Sequence, residues 1–168
     1  MLNRIDKLFN AANRWLLIAL MAVVAALVIV NVLTRYLAAH SFPWVEEATR
    51  YMMIWATFLG AGPALRVGGH IAVESLPQAL PAPAARALRV LLVAVMAVTL
   101  VLLTWLGIDY VEFAWEQESP VLGWSLGKVY LAIPLGAALT LAHLLLIAPR
   151  WVAAGEWERV EGFDPQAL

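Results

Sequence analysis

Three charged residues stand directly before an apolar run in the stretch SFPWVEEATRYMMIWATFLG, which covers residues 41–60. Glu46 and Arg50 are four residues apart and Glu47 and Arg50 are three apart, so on a helix the guanidinium can meet either carboxylate. Both acids fall in the first turns of the predicted helix, where the positive end of the helix dipole favours negative charge. Paired carboxylates at this position raise the hypothesis of a proton- or cation-binding site.

Two further polar residues, Asn31 and Arg35, lie near the end of the preceding apolar run and face the same region if the short connection closes a hairpin. Two cations and two anions then nearly cancel at one membrane boundary. This balance favours an ion cluster that fixes helix register and depth. Docking against a partner protein or lipid headgroups is a second interpretation. Ion binding is the third, because acids at a water-accessible helix end cost far less free energy than acids in the membrane core and so do not by themselves indicate a binding site.

Hydropathy predicts the helices that position these charges. The chain has 168 residues, of which 63% are hydrophobic and 14% charged, and its mean hydropathy is +0.80, which indicates a membrane protein. Four windows approach the length of about 20 residues that a span needs. The predicted fold is an all-α integral membrane protein with one domain over 1–168, two antiparallel hairpins, and helices at about 15–36, 44–65, 88–110 and 128–148.

Connections and charge give the predicted orientation. Ser41 is the expected N-cap of the second helix, Pro43 suits its first turn, and Gly68-Gly69 is expected to end it. The loop that follows is expected to hold a short interfacial segment. Eight of the eleven Lys and Arg residues fall in the two terminal segments and this middle loop, so the positive-inside rule predicts that both termini are cytoplasmic.

Small residues in the second helix suggest a packing surface. Ala56, Gly60 and Ala64 recur at every fourth position, a spacing that lets another helix approach closely. Trp44, Tyr51 and Trp55 mark a different, aromatic face. The pattern leaves open whether the smooth face meets this chain or another one. In the fourth helix, the residues Ala132, Gly136 and Thr140 repeat the spacing.

The three histidines raise the alternative of haem ligation, which needs two rings at similar depth on facing helices. His70 and His143 are the pair that would qualify. This makes a haem- or quinone-binding membrane anchor of a respiratory enzyme the alternative function. The chain contains no cysteine, no evident catalytic set and no basic block for nucleic acid, so the prediction is a non-enzyme without a bound metal or cofactor.

Four segments together carry a resemblance to a known family: NVLTRY, WVEEATRYMMIWATFLGA, ALRVGGHIAVE and ESPVLGWSLGKVYLAIPLG. In order and spacing they resemble the small membrane subunit of tripartite ATP-independent periplasmic (TRAP) transporters, the DctQ-like subunit. The resemblance implies symport of carboxylate-type organic acids across the bacterial inner membrane. It also implies two partners, a large permease subunit that uses the sodium-ion gradient and a periplasmic substrate-binding protein, with this chain as a scaffold in membrane lipid.

The resemblance implies roles for motif positions as well. They are expected to form a structural ion cluster or partner interface and not a transport site, because the family's substrate and sodium sites lie in the large subunit. The positions are Asn31, Arg35, Trp44, Glu46, Glu47, Arg50, Trp55, Gly60, Arg66 and His70.

Overall fold

The computed structural model describes residues 2–68 and 79–155, and within these ranges every regular element is helical, which confirms the predicted all-α class. The helices are α1 (Leu2–Ala38), α2 (Pro43–Arg66), α3 (Ala82–Ala114), α4 (Leu126–Tyr130) and α5 (Ala132–Ala154). The predicted segments 15–36, 44–65 and 88–110 lie inside α1, α2 and α3, and 128–148 lies within the α4–α5 pair. The apolar windows therefore located the helices but not their ends.

Three stretches of the described chain are long and apolar enough to cross a membrane: Asp6–Ala38, Ala82–Ala114 and Leu126–Ala154. The second predicted span, 44–65, corresponds to α2, which is not among them. Its 24 residues extend about 36 Å, but its first turns carry Glu46, Glu47 and Arg50 and its last turn carries Arg66. The described residues thus contain three helical stretches that are apolar enough to span a membrane and one helix of spanning length with charged ends.

Helices α1 and α2 form an antiparallel hairpin connected by residues 39–42. Asn31 Oδ1 accepts a hydrogen bond from the Phe42 backbone N–H at 2.8 Å, so α1 fixes the backbone where α2 begins. Pro43 lies in the first turn as predicted. The expected N-cap at Ser41 is wrong, because the N-cap is Phe42 and no side chain caps the helix. The amide of Asn31, which reaches across the hairpin, stabilises this turn instead.

The second half of the chain returns through α3 and the α4–α5 pair, which is interrupted at Leu131. Pro134 explains the interruption: it has no N–H to donate to the carbonyl four residues earlier, so the helix breaks one turn before it. The Pro134 ring packs against Gly107 of α3, where an added Cβ would stand only 3.1 Å from the Pro134 Cδ. This proline therefore both ends α4 and forms part of the α3–α5 contact.

Helix α2 packs between α1 and α5, and α3 packs on the other side of α5. The closest approach of α2 and α5 occurs at two glycines. A Cβ on Gly136 would lie 2.8 Å from the Phe58 carbonyl carbon, and a Cβ on Gly62 would lie 3.0 Å from His143 Cγ and closer to Cδ2. Neither distance leaves room for a methyl group, so these glycines set the spacing of the two helices.

The predicted packing stripe is only partly the one used. Ala56, Gly60 and Ala64 are all half-buried, and a Cβ on Gly60 would meet Leu17 of α1 at an ordinary 3.8 Å. Its central position thus faces another helix of this chain, but without a close approach. On α5 the stripe of Ala132, Gly136 and Thr140 is fully buried.

The two ends of the bundle hold different polar groups. We call the end with the α1–α2 and α3–α4 connections the hairpin end, and the opposite end, where α1 begins and α5 finishes, the terminal end. Helix α2 finishes there at Arg66, and Gly68 follows with a left-handed φ of 81°. His70, Gly69 and the predicted interfacial segment lie outside the described residues.

Candidate functional site

One ion pair joins α1 to α2 at the hairpin end. Arg35 Nη2 donates to Glu46 Oε1 at 2.6 Å, and each of the two side chains is 54% exposed. An ion pair this exposed contributes about 0–1 kcal/mol in water, because solvent screens it. The buried Asn31 bond beside it is the stronger tie between the helices.

Glu47 follows Glu46 on α2 but points to a different face of the helix, and it is 5% exposed. Its carboxylate accepts the Tyr51 hydroxyl at 2.6 Å and the backbone N–H groups of Val121 and Leu122 at 2.9 and 3.3 Å. A buried carboxylate needs such donors to replace its hydration shell. Glu47 therefore fastens the α3–α4 connection onto α2.

The four charges predicted to form one cluster are thus divided. Arg50 is exposed and forms no side-chain hydrogen bond or ion pair within residues 2–68 and 79–155. Arg50 does not pair with Glu46 or Glu47 as the spacing allowed, because Glu46 pairs with Arg35 and Glu47 accepts from the α3–α4 connection. A compact site of two carboxylates for one cation does not form.

The predicted aromatic face lies beside a groove at the hairpin end. Tyr51, Trp55, Trp124 and Lys128 line it together with three apolar residues, and its volume is about 380 Å³. Trp44 is 44% exposed at the start of α2. The Tyr51 hydroxyl already donates to Glu47, so Lys128 is the cationic group of this otherwise apolar and aromatic lining.

A second polar cluster is buried at the terminal end and joins three helices. Arg66 is 1% exposed, pairs with Asp6 of α1, and donates from Nε to His143 Nδ1 of α5 at 2.6 Å. Because Nδ1 accepts this proton, the ring is neutral with its own proton on Nε2. Phe9 covers the ring at a centroid distance of 4.5 Å. The guanidinium thus holds the end of α2 to α1 and α5.

Asn13 extends this cluster and resolves a backbone problem in α2. Pro63 has no N–H, so the Leu59 carbonyl loses its usual helical partner four residues later. Asn13 Nδ2 donates to that carbonyl at 3.1 Å. It also lies 3.3 Å from His143 Nε2, but both nitrogens are donors when Nε2 holds the ring proton, so this contact is not a hydrogen bond. A side chain of α1 therefore satisfies the carbonyl that the proline leaves open.

Sequence reasoning included Arg66 and His143 but missed Asp6 and Asn13. Pro63 was the available signal, since a proline inside a helix predicts an open carbonyl that a neighbouring polar side chain must satisfy. The hydropathy pattern gave no register between α1 and α2, so it could not select Asn13 as the donor.

The cluster offers little for metal or haem chemistry. His143 is fully buried, with Arg66 against one ring nitrogen and Asn13 against the other. Across residues 2–68 and 79–155, no group of three His, Asp or Glu side chains is placed to hold a metal ion. The ring therefore acts as a hydrogen-bonding partner of Arg66, which argues against its use as an axial ligand.

A family model described as tripartite ATP-independent periplasmic transporters, DctQ component, matches residues 24–153, which is most of the chain. The chain belongs to the DctQ family. Its members are transporter permease subunits and not enzymes, and the apolar helices of this DctQ chain agree with a membrane-spanning subunit. The resemblance drawn from the four sequence segments is confirmed.

Relatives within the DctQ family carry related names. The chain is 28% identical over 149 residues to the ectoine TRAP transporter small permease protein TeaB of Halomonas elongata, covering 88% of this chain and 77% of that protein. It is 29% identical over 147 residues to a putative TRAP transporter small permease protein of Haemophilus influenzae, covering 86% and 90%. The C4-dicarboxylate small permease protein DctQ of Rhodobacter capsulatus is 29% identical over 115 residues, or 67% and 51%.

Proposed function

We propose that this chain is the scaffold subunit of a TRAP-type secondary transporter that imports carboxylate-type organic solutes together with a large permease subunit and a periplasmic binding protein. The supporting observation is the location of its polar groups. Arg66, Asp6 and His143 lie at the terminal end, whereas Arg35, Glu46 and Glu47 lie at the hairpin end. Secondary transporters bind solute near the midplane, where α2 and α5 here meet through Gly136 and Phe58.

The proposal includes the orientation in the bacterial inner membrane. Both termini are placed in the cytoplasm. Helix α2 also crosses the membrane, which makes four spans in total, and its charged ends lie at the two boundaries. Lys and Arg residues in the N-terminal segment, the middle loop and the tail support this orientation. Cysteine accessibility at position 7 and at position 121 tests it. A membrane-impermeant thiol reagent added outside is expected to label Val121→Cys and not Lys7→Cys.

The proposal assigns solute choice and ion coupling to the partners. The names of the relatives differ in solute, one being an ectoine and another a C4-dicarboxylate system, although all are small permease proteins. A rigid subunit packed through glycines is compatible with either. The sodium-ion gradient is then used by the large subunit, and no cofactor is bound by this chain.

Reconstituted transport tests the proposal. Proteoliposomes that contain this chain, the large permease and the binding protein are expected to accumulate a labelled organic acid under an inward sodium gradient. Vesicles with this chain alone are the control and are expected to take up none. Uptake by this chain alone would overturn the scaffold assignment, and a red preparation with a Soret band would favour the haem-anchor alternative.

A further inference from the structure

The exposed surface of α2 differs in chemistry from that of its neighbours. Glu46, Arg50, Met53 and Thr57 are all exposed and recur at steps of three and four residues, so they form one stripe along the helix. This α2 polar stripe covers about 16 Å at helical rise. It runs from the hairpin end towards the middle of the bundle.

The corresponding faces of α1 and α3 suit lipid. Large exposed side chains along α1 include Ile18, Ile29 and Leu33, and those along α3 include Leu91, Leu102 and Leu106. Such surfaces match acyl chains without any further partner. Among the long helices of the described residues, α2 is the one that is not apolar enough to count as a membrane span. Its exposed face carries Glu46 and Arg50, so acyl chains are a poor match for that part of the surface.

The stripe also carries an uncompensated charge. Glu46 is paired with Arg35, and Glu47 points to a different face of α2, where it accepts the N–H groups of Val121 and Leu122. Arg50 has no anionic partner in the described parts of the chain. The surface formed by Arg35, Glu46 and Arg50 therefore has one surplus positive charge.

We propose that the α2 polar stripe is the docking surface for the large permease subunit, and that this partner places a carboxylate opposite Arg50. The inference rests on the proposed scaffold function and adds which surface meets the partner. A protein partner can supply the fixed polar group that Arg50 lacks, and an acid complements the surplus charge. The outer faces of α1 and α3 then remain in contact with lipid.

Site-specific photocrosslinking in the intact complex tests this surface. A benzophenone amino acid replaces Met53 in one variant and Leu102 of α3 in a matched one. The two side chains are 55% and 48% exposed and lie at similar depths from the hairpin end. Position 53 is expected to give an adduct with the large permease, identified by mass spectrometry, and position 102 is not. An adduct from position 102 alone, or from neither position, overturns the proposal.

Charge substitution at Arg50 provides the second readout. Arg50→Glu places like charge against the expected carboxylate and is expected to lower recovery of the large permease with the tagged chain by about tenfold, whereas Arg50→Lys retains more. The melting temperature of each purified variant verifies folding, and Glu112→Arg, a charge reversal at an exposed position of α3 near the same end of the bundle, is the control. Full recovery with Arg50→Glu, with or without loss of bound anionic phospholipid, contradicts the docking surface.

Recovery of the large permease with the unmodified chain distinguishes a failed scaffold function from a failed docking surface. If the unmodified chain recovers no large permease when the two are coexpressed, the scaffold function itself fails. If it recovers the permease but neither position 53 nor Arg50 affects the contact, only the docking surface fails.

Discussion

Substitution of Gly62 by alanine is expected to be among the most damaging single-methyl changes in this chain. The new Cβ would lie 3.0 Å from His143 Cγ and 3.1 Å from Nε2, with Cδ2 nearer still. Carbon atoms pack best at about 3.5–4.0 Å, so α2 and α5 must separate or the ring must move. His143 is fully buried and held by Arg66, so the ring cannot turn aside without losing that bond.

The magnitude follows from two contributions. Overpacking a close helix contact costs about 1–3 kcal/mol. Weakening the hydrogen bond between His143 and the charged Arg66 adds about 1.5–3 kcal/mol where it is lost. We expect a total of about 2.5–6 kcal/mol where both apply, which corresponds to a melting temperature roughly 5–24 °C lower for a chain of this size.

Gly60→Ala is the matched control, two residues away on the same helix. Its Cβ would meet Leu17 at 3.8 Å, an ordinary contact, and alanine has the higher helix propensity, so a neutral or slightly stabilising effect of about 1 kcal/mol is expected. Thermal unfolding of both purified variants in the same detergent, followed by size-exclusion chromatography, compares them. Equal melting temperatures for Gly60→Ala and Gly62→Ala would refute the argument that His143 is locked against α2.

Three further outcomes follow from the polar contacts. Asn13→Leu is expected to cost about 1–3 kcal/mol of stability because it leaves the Leu59 carbonyl unsatisfied. Adding Pro63→Ala should recover part of that loss, because alanine restores an N–H for the carbonyl. A double-mutant cycle of melting temperatures measures the coupling, and additive effects would contradict the link between Asn13 and Pro63. Glu47→Gln is expected to loosen residues 119–125, seen as faster proteolysis there than in Glu46→Gln, and equal rates would contradict the assigned role. Arg35→Ala should change stability by less than about 1 kcal/mol because the Glu46 pair is exposed; a loss comparable to that of Gly62→Ala would show that the pair is more than a surface contact.

The sequence predicted the helices well because a long apolar window shows that a segment must leave water, whether for lipid or for protein, and this needs no knowledge of tertiary contacts. It also predicted that Arg35 and Asn31 would face the start of α2, since a four-residue connection leaves little freedom. It did not predict that Glu47 would turn to the α3–α4 connection, because the partners are backbone N–H groups 74 and 75 residues away. The same limit applies to Gly62. Its importance depends on the distance between α2 and α5, and the spacing of residues along one helix does not reveal that distance.

The cluster around Arg66 has a consequence for the order of biosynthesis. Asp6 and Arg66 belong to the first hairpin and can pair once α2 has entered the membrane, but His143 is 77 residues further along the chain. Until α5 is made, Arg66 Nε and the amide of Asn13 lack their contacts with the His143 ring. The cluster therefore closes only when the last helix arrives, so its completion distinguishes a finished subunit from a partly inserted one.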